Sequence, residues 1–128
     1  AAAEASRTND FMAAYFLDLL GLLVLEKAEG YVKQTAQEKA VSAGWGVSPF
    51  LSPGSVHGWK LEEQAKLAGL LPINDIRVGI SDHGVFSPFK TISCLIGIGP
   101  GYTTTKVGST CRVCSKRKDC RMQRNYAT

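Results

Sequence analysis

Apolar side chains follow one another closely from Phe11 onward. Phe11, Tyr15, Leu19, Leu22, Leu25, Ala28 and Val32 recur at gaps of three or four, the spacing of one face of an α-helix. Thr8, Asn9 and Asp10 offer an N-cap ahead of that pattern, and helix formers then continue to Ala43, where Gly44 supplies a stop. Gly21 and Gly30 interrupt the run, each at a cost of about 1 kcal/mol against alanine. They imply close packing on another element or a break into two helices. The pattern changes at WGVSPFLSPGSVHGW, where Ser-Pro pairs favour extended and turn geometry. A second helix, LEEQAKLAGLL, ends at Pro72 with Leu61, Leu67, Leu70 and Leu71 on one apolar side. After a turn at INDI, IRVGI reads as a strand, SDHGVFSPF as a loop, and the β-branched run KTISCLIGIG as a second strand.

The expected fold class is therefore α+β, a long helix and a short helix packed on a small, mostly antiparallel sheet. Two strands are marginal alone, so further strands are expected from another subunit or from an N-terminal part missing here. A chain of 128 residues is one domain by size. Its organisation divides into a body over 1–105 and a basic cysteine tail over 106–128. The most apolar stretch, FMAAYFLDLLGLLVL, carries Asp18 and is too short for a membrane span of about 20 residues. No secretory leader is evident, so a cytoplasmic protein is expected.

Charge sharpens that division. The chain has a formal net charge of +4, yet seven of its fifteen Lys and Arg lie from Lys106 onward against the single Asp119. The first 105 residues keep eight basic and ten acidic side chains. No aromatic–basic interleaving or nucleic-acid motif accompanies the basic tail, so nucleic acid is not the expected partner.

Inside that tail the spacing is Cys-x2-Cys-x5-Cys, at Cys111, Cys114 and Cys120. In a reducing compartment clustered cysteines bind metal or carry redox chemistry more often than they form disulfides. Two thiolates two residues apart can face one metal from a single turn, and the third returns after a short loop. Cys94, in the second expected strand, is either a fourth ligand or a small buried hydrophobe; an external ligand is the alternative. Zinc ribbons usually pair two Cys-x2-Cys knuckles, whereas a 4Fe-4S cluster tolerates uneven spacing with one distant thiolate. Iron–sulfur thus ranks above zinc, and both above a disulfide. The surrounding lysines and arginines would stabilise a reduced cluster.

Other chemistry is sparse. His57 and His83 sit in glycine-bearing loops, and GIGPG lacks the lysine of a phosphate loop. Glu62 and Glu63 begin a helix, where acids favour the dipole. Trp45, Phe50 and Trp59 line a flat ligand's cleft or plug the core beside turns.

Three stretches together resemble a known family. SPFLSPGSVHGWKLEEQAKLAGLL, IRVGISDHGVFSPFKTISCLIGIG and the cysteine tail are similar to the reactivation domain of cobalamin-dependent methionine synthase, and more closely to its stand-alone anaerobic relatives that end in a cysteine cluster. The similarity runs from about Leu17 onward. It is most specific at Ser52-Pro53-Gly54, Trp59, Leu61-Glu62-Glu63-Gln64, Pro88 and Lys90-Thr91-Ile92-Ser93. It implies docking on a corrinoid presented by a partner, with Ser55, His57, Phe86 and Pro88 at the corrin face. It also implies one-electron reduction of inactive cob(II)alamin, followed in the family by methylation from S-adenosylmethionine. The family's adenosylmethionine signature, an Arg three residues before Pro-Gly-Tyr, falls here on Phe50 and Ser55. Phe50 cannot give a carboxylate the paired hydrogen bonds of an arginine, so S-adenosylmethionine binding is not expected. The resulting expectation is an accessory redox subunit, itself not necessarily catalytic, that helps reactivate a corrinoid protein or methyltransferase through an iron–sulfur cluster. The alternatives are a zinc-stabilised interaction module, or a reactivase that retains methyl transfer.

Overall fold

The computed structural model describes residues 10–120. Among the described residues a long helix, α1 (Phe11–Ser42), comes first, and β1 (Gly46–Val47) follows it. A 3-10 turn (Leu61–Glu63) leads into the short α2 (Gln64–Ala68), and a second 3-10 turn covers Ile73–Ile76. Then come β2 (Gly79–Ile80), β3 (Phe86–Ser87), β4 (Ile98–Gly99) and a last 3-10 turn at Thr110–Arg112. The fold is α+β, with two small antiparallel sheets, β1–β4 and β2–β3.

Both ends of α1 are set by local chemistry. Asp10 is the N-cap: its Oδ1 accepts from the Ala13 N–H at 3.0 Å, satisfying a donor that has no partner inside the helix. Thr8 and Asn9, the other candidate caps, lie outside the described residues. At the far end Gly44 takes φ +69°, and Gly44 N–H and Trp45 N–H donate to the carbonyls of Val41 and Ala40. This paired closure needs a left-handed residue, which glycine supplies without steric cost. Replacing Asp10 with Ala should lower stability by about 0.5–2 kcal/mol, read as a loss of helical circular dichroism or of melting temperature; Asp10→Asn should retain most of the stability.

Contacts divide the chain into two compact units between Val32 and Lys33. The first is helical from Phe11, and its apolar residues do not collect on one face. Phe11, Tyr15, Leu19 and Leu22 are exposed, and so are Phe16, Leu20, Leu23 and Val24 on the other sides. The expected break at a glycine does not occur, because α1 is a single helix of 32 residues. Nor is Gly30 closely packed, since nothing stands within 4 Å of where a Cβ would lie.

The second unit holds the buried residues. Ala36 and Ala40 of α1, Val47, Phe50, Leu67, Ala68 and Phe86 form its apolar core. Ser48 is buried as well, and its backbone N–H donates to Gly97 O at 2.8 Å while Gly97 N–H returns a bond to Ser48 Oγ at 2.8 Å. This pairing extends the β1–β4 ladder, in which Gly46 faces Gly99 and Val47 faces Ile98. It continues to Leu51 and Leu95, whose backbone groups exchange bonds of 3.0 and 2.8 Å.

Several sequence expectations are refined here. The run from Lys90 to Gly99 is ladder-paired only at Leu95 and at Ile98–Gly99, because its partner, the proline-bearing segment 46–51, offers backbone groups only in short pieces. The loop SDHGVFSPF contains β3, which closes a hairpin onto β2. INDI is a 3-10 turn, and the regular part of the second helix stops at Ala68. Leu67 is buried there, whereas Leu61, Leu70 and Leu71 are exposed, so the apolar side is narrower than the leucine spacing implied.

Candidate functional site

The loop after Leu51 is built from consecutive tight turns. Ser55 N–H and Val56 N–H both donate to Ser52 O, and Trp59 N–H donates to Val56 O, while Gly54 N–H reaches across to Trp59 O at 2.9 Å. Gly54 and Gly58 take φ of +79° and +77°, so the loop reverses twice within a few residues.

A chain of side-chain hydrogen bonds holds this loop in place. Ser52 Oγ donates to Ser93 O at 2.9 Å, Ser93 Oγ donates to Gln64 Oε1 at 3.0 Å, and Gln64 Nε2 donates to Gly84 O at 2.9 Å. One glutamine amide thus ties α2 to the strand segment before Leu95 and to the β2–β3 hairpin. Gly84 comes so near Leu61 that a Cβ there would stand 2.9 Å from the Leu61 carbonyl oxygen. On the next turn Lys66 Nζ lies 2.7 Å from Glu63 Oε1. The hydrogen bond from Lys66, and then its charge, hold the Glu63 carboxyl below its usual range. The pair is exposed, so its small stabilising effect is present at neutral pH and fades as acid protonates the carboxylate.

The tail is hydrogen-bonded to this same loop. Val107 N–H donates to Gln37 Oε1 of α1 at 2.8 Å, and Gly108 O accepts from Phe50 N–H at 3.1 Å. Ser109 caps the following turn, its Oγ accepting from Cys111 N–H at 3.2 Å. Cys114 then forms an antiparallel bridge with Val56, and Ser115 N–H donates to Ser55 O at 3.0 Å. An open pocket of about 470 Å³ lies alongside, lined by Gly54, Val56, Gly58, Trp59, Lys60, Leu61, Glu62 and, from the tail, Ser115.

The predicted site residues are distributed as follows. Ser55 is half-buried and His57 is exposed, on either side of the Val56 that pairs with Cys114. Phe86 is buried in the core at 9% exposure, and Pro88 is exposed just beyond it. The four cysteines are thiols, each partly buried. Cys94 sits between Ser93 and Leu95, which bond to Ser52 and Leu51 at the start of the loop. Cys114 is tied to the loop's middle. Among the described residues no three His, Cys, Asp or Glu side chains are gathered into a metal cage. The donor set has the right chemistry, because three thiols lie within ten residues of one another on a turn-rich segment. Arg121 and Arg124 of the basic tail lie outside the described residues; Arg112, Lys116, Arg117 and Lys118 are exposed around the thiols.

Two of the aromatic candidates separate clearly. Phe50 is a core residue, 4% exposed, with Lys33 Nζ 4.7 Å from its ring centroid. Trp59 lines the pocket instead. Gln64 and Ser115 carry structural roles that residue type alone did not mark. Gln64 does fall within the LEEQ motif of the family resemblance. Ser115 gave no sign, because it acts through its backbone. No protein-family model, curated protein or solved structure matches this chain. No helix among the described residues is long and apolar enough to cross a membrane.

Proposed function

We propose that this chain is an accessory redox component supporting the reductive reactivation of a corrinoid protein or methyltransferase. The loop Ser52–Trp59 faces the corrinoid carried by the partner, and the tail holds an iron–sulfur cluster. The observation that carries this reading is the pairing of Cys114 with Val56 and of Ser115 N–H with Ser55 O. It puts the cysteine segment directly on the loop that the family resemblance assigns to the corrin face. Cys111, Cys114 and Cys120 would hold the cluster, and Cys94, on the irregular segment just before Leu95 that borders the same loop, is the fourth thiol. A cluster bound there supplies single electrons, in a class whose potentials span about −700 to +450 mV. The protein's own part is to dock, to position and to tune. Exposed Arg112, Lys116, Arg117 and Lys118 favour the more negative, reduced state. Phe50, buried in the core, gives S-adenosylmethionine no charged contact, which favours electron supply over methyl transfer.

The exposed apolar helix from Phe11 to Val24 supports a second element of the reading. A helix with apolar side chains exposed on several sides belongs inside a larger core, and among the described residues each sheet has two strands. A partner polypeptide with apolar strands would cover it.

Preparation without oxygen tests the proposal. The expected product is brown, with iron and acid-labile sulfide in equal amounts, about four of each per chain for a cubane cluster. Cys94→Ala should lose iron if its thiolate is the fourth ligand, and keep it if the fourth ligand is external. A colourless protein with one zinc per chain would end the electron-delivery reading and leave a zinc-stabilised interaction module. Heat on titration with S-adenosylmethionine would restore methyl transfer.

A further inference from the structure

The open pocket beside Trp59 has walls of two kinds. Val56, Trp59 and Leu61 give it apolar surface, and Lys60 and Glu62 are the charged residues of its lining. None of Ser55, His57, Phe86 and Pro88 lines it, so it is distinct from the residues assigned to the corrin face. The tail contributes Ser115, and the Val56–Cys114 bridge and the Ser115–Ser55 bond fasten that segment to the loop. Just past Ser115 the chain doubles back in consecutive turns, with Arg117 N–H donating to Cys114 O and Asp119 N–H to Lys116 O. These turns carry Lys116, Arg117 and Lys118, all exposed, against one acid, Asp119. Arg117 reaches back to Arg112 O at 3.5 Å, whereas neither Lys116 nor Lys118 is in an ion pair among the described residues. Three residues of chain span at most about 11 Å, so the three cations all spring from within that distance of Ser115.

We propose that this pocket and the turn beside it form a docking site for an acidic protein segment that carries one apolar anchor. The anchor enters the pocket against Trp59, and carboxylates flanking it meet Lys60 and the cations of residues 116–118. The spacing suits such a segment. An extended chain advances about 3.2–3.4 Å per residue, so carboxylates two to four residues from the anchor fall about 7–13 Å away, within reach of the turn. Charge complementarity of this kind steers the encounter and fixes the register, while the buried anchor slows release. A protein segment fits better than a nucleic acid. Single strands need successive stacking faces along a cationic track, and one aromatic serves this pocket. Glu62 in the lining also repels a continuous run of phosphates, whereas a protein segment can set a neutral residue opposite it. The inference goes beyond the reactivation reading, since it requires neither a corrinoid nor metal in the tail.

The two tryptophans make the site measurable, since Trp45→Phe leaves Trp59 as the single indole. The full chain with that change, kept reduced at low salt, is titrated with a blocked peptide of aspartates and glutamates around one central leucine. Trp59 emission should change and saturate at one peptide per chain. A peptide with serine in place of the leucine should bind at least about 10-fold more weakly, because the anchor's burial is lost. Lys116→Glu combined with Lys118→Glu should weaken the leucine peptide by about 10-fold or more, with unchanged circular dichroism, and the matching Gln variants should fall between. High salt should weaken the parent complex in the same way. No saturable Trp59 response to the leucine peptide overturns the proposal, and so does equal affinity for the serine peptide or full affinity in the double Glu variant. Tighter binding of an oligothymidylate of equal charge would assign the site to single-stranded nucleic acid instead. Iron and sulfide content decides the cluster reading separately and has no part in this titration.

Discussion

Replacing Phe50 with Ala is expected to cost about 3–5 kcal/mol of folding stability, the range for deleting a buried phenylalanine ring. Domains of this size are stable by only about 5–15 kcal/mol, so the variant should unfold at markedly lower urea. Two effects add at this position. The ring is 4% exposed, so its removal opens a cavity in the core that the backbone cannot close fully. It also leaves Lys33 Nζ, 4.7 Å from the ring centroid, without the aromatic face beneath it, an interaction of about 0.5–2 kcal/mol. A double-mutant cycle with Lys33→Met separates the two, because only the second effect is shared by both single changes. The same position discriminates between functional readings. Phe50→Arg would supply the residue of the adenosylmethionine signature, but it would set a guanidinium in an apolar core beneath an ammonium. The expected outcome is a protein that fails to fold stably and takes up no S-adenosylmethionine. If Phe50→Arg were stable and bound that ligand in a calorimeter, position 50 would face a cleft, and its placement in the core would be wrong.

What the sequence discloses depends on how local the cause is. The limits of α1 were legible because Asp10 and Gly44 act on backbone groups within a few residues of themselves. The irregular course of residues 45–59 was legible for the same reason, since proline and glycine restrict or release their own dihedrals. Strand extents were not. Lys90–Gly99 has strand composition throughout, yet ladder pairing needs a partner, and the partner is interrupted by Pro49. Phe86 and Ser87 were read as loop because two residues between turns carry no alternation, although a hairpin with β2 pairs them. The cysteines were conspicuous by spacing. Their attachment to the loop was not, because the Val56–Cys114 pairing joins segments far apart in sequence through backbone groups that every residue has. Phe11, Tyr15, Leu19 and Leu22 show the opposite failure. Their apolar character suggested a packed face, but it sets a need for burial without saying which surface meets it.

A single added methyl group at Gly46 should be nearly as damaging as the loss of the Phe50 ring. Gly46 opens β1 opposite Gly99, and the backbone at Tyr102 and Thr104 lies directly against it. A Cβ on Gly46 would run into the Tyr102 carbonyl oxygen, with the carbonyl carbon of Tyr102 at 2.6 Å and the Thr104 carbonyl oxygen at 2.8 Å. None of these atoms can rotate away as a side chain would. The Thr104 oxygen is already engaged, accepting from Val47 N–H at 2.7 Å while Thr104 Oγ1 donates to Val47 O at 3.0 Å. To admit the methyl group, the segment must lift off β1 and break both bonds in a place where water replaces them poorly. Overpacking of this kind costs about 1–3 kcal/mol against adaptable side chains, and more where backbone must move. Gly46→Ala should therefore lose about 3 kcal/mol, a fall of roughly 10 °C in melting temperature. Gly99→Ala, across the ladder with nothing within 4 Å of its added Cβ, is the matched control and should melt within a few degrees of the parent. Equal melting temperatures for the two variants would mean that residues 102–104 do not lie on β1. The tail would then lose the support that delivers it, through Val107 and Gly108, to the loop at Val56.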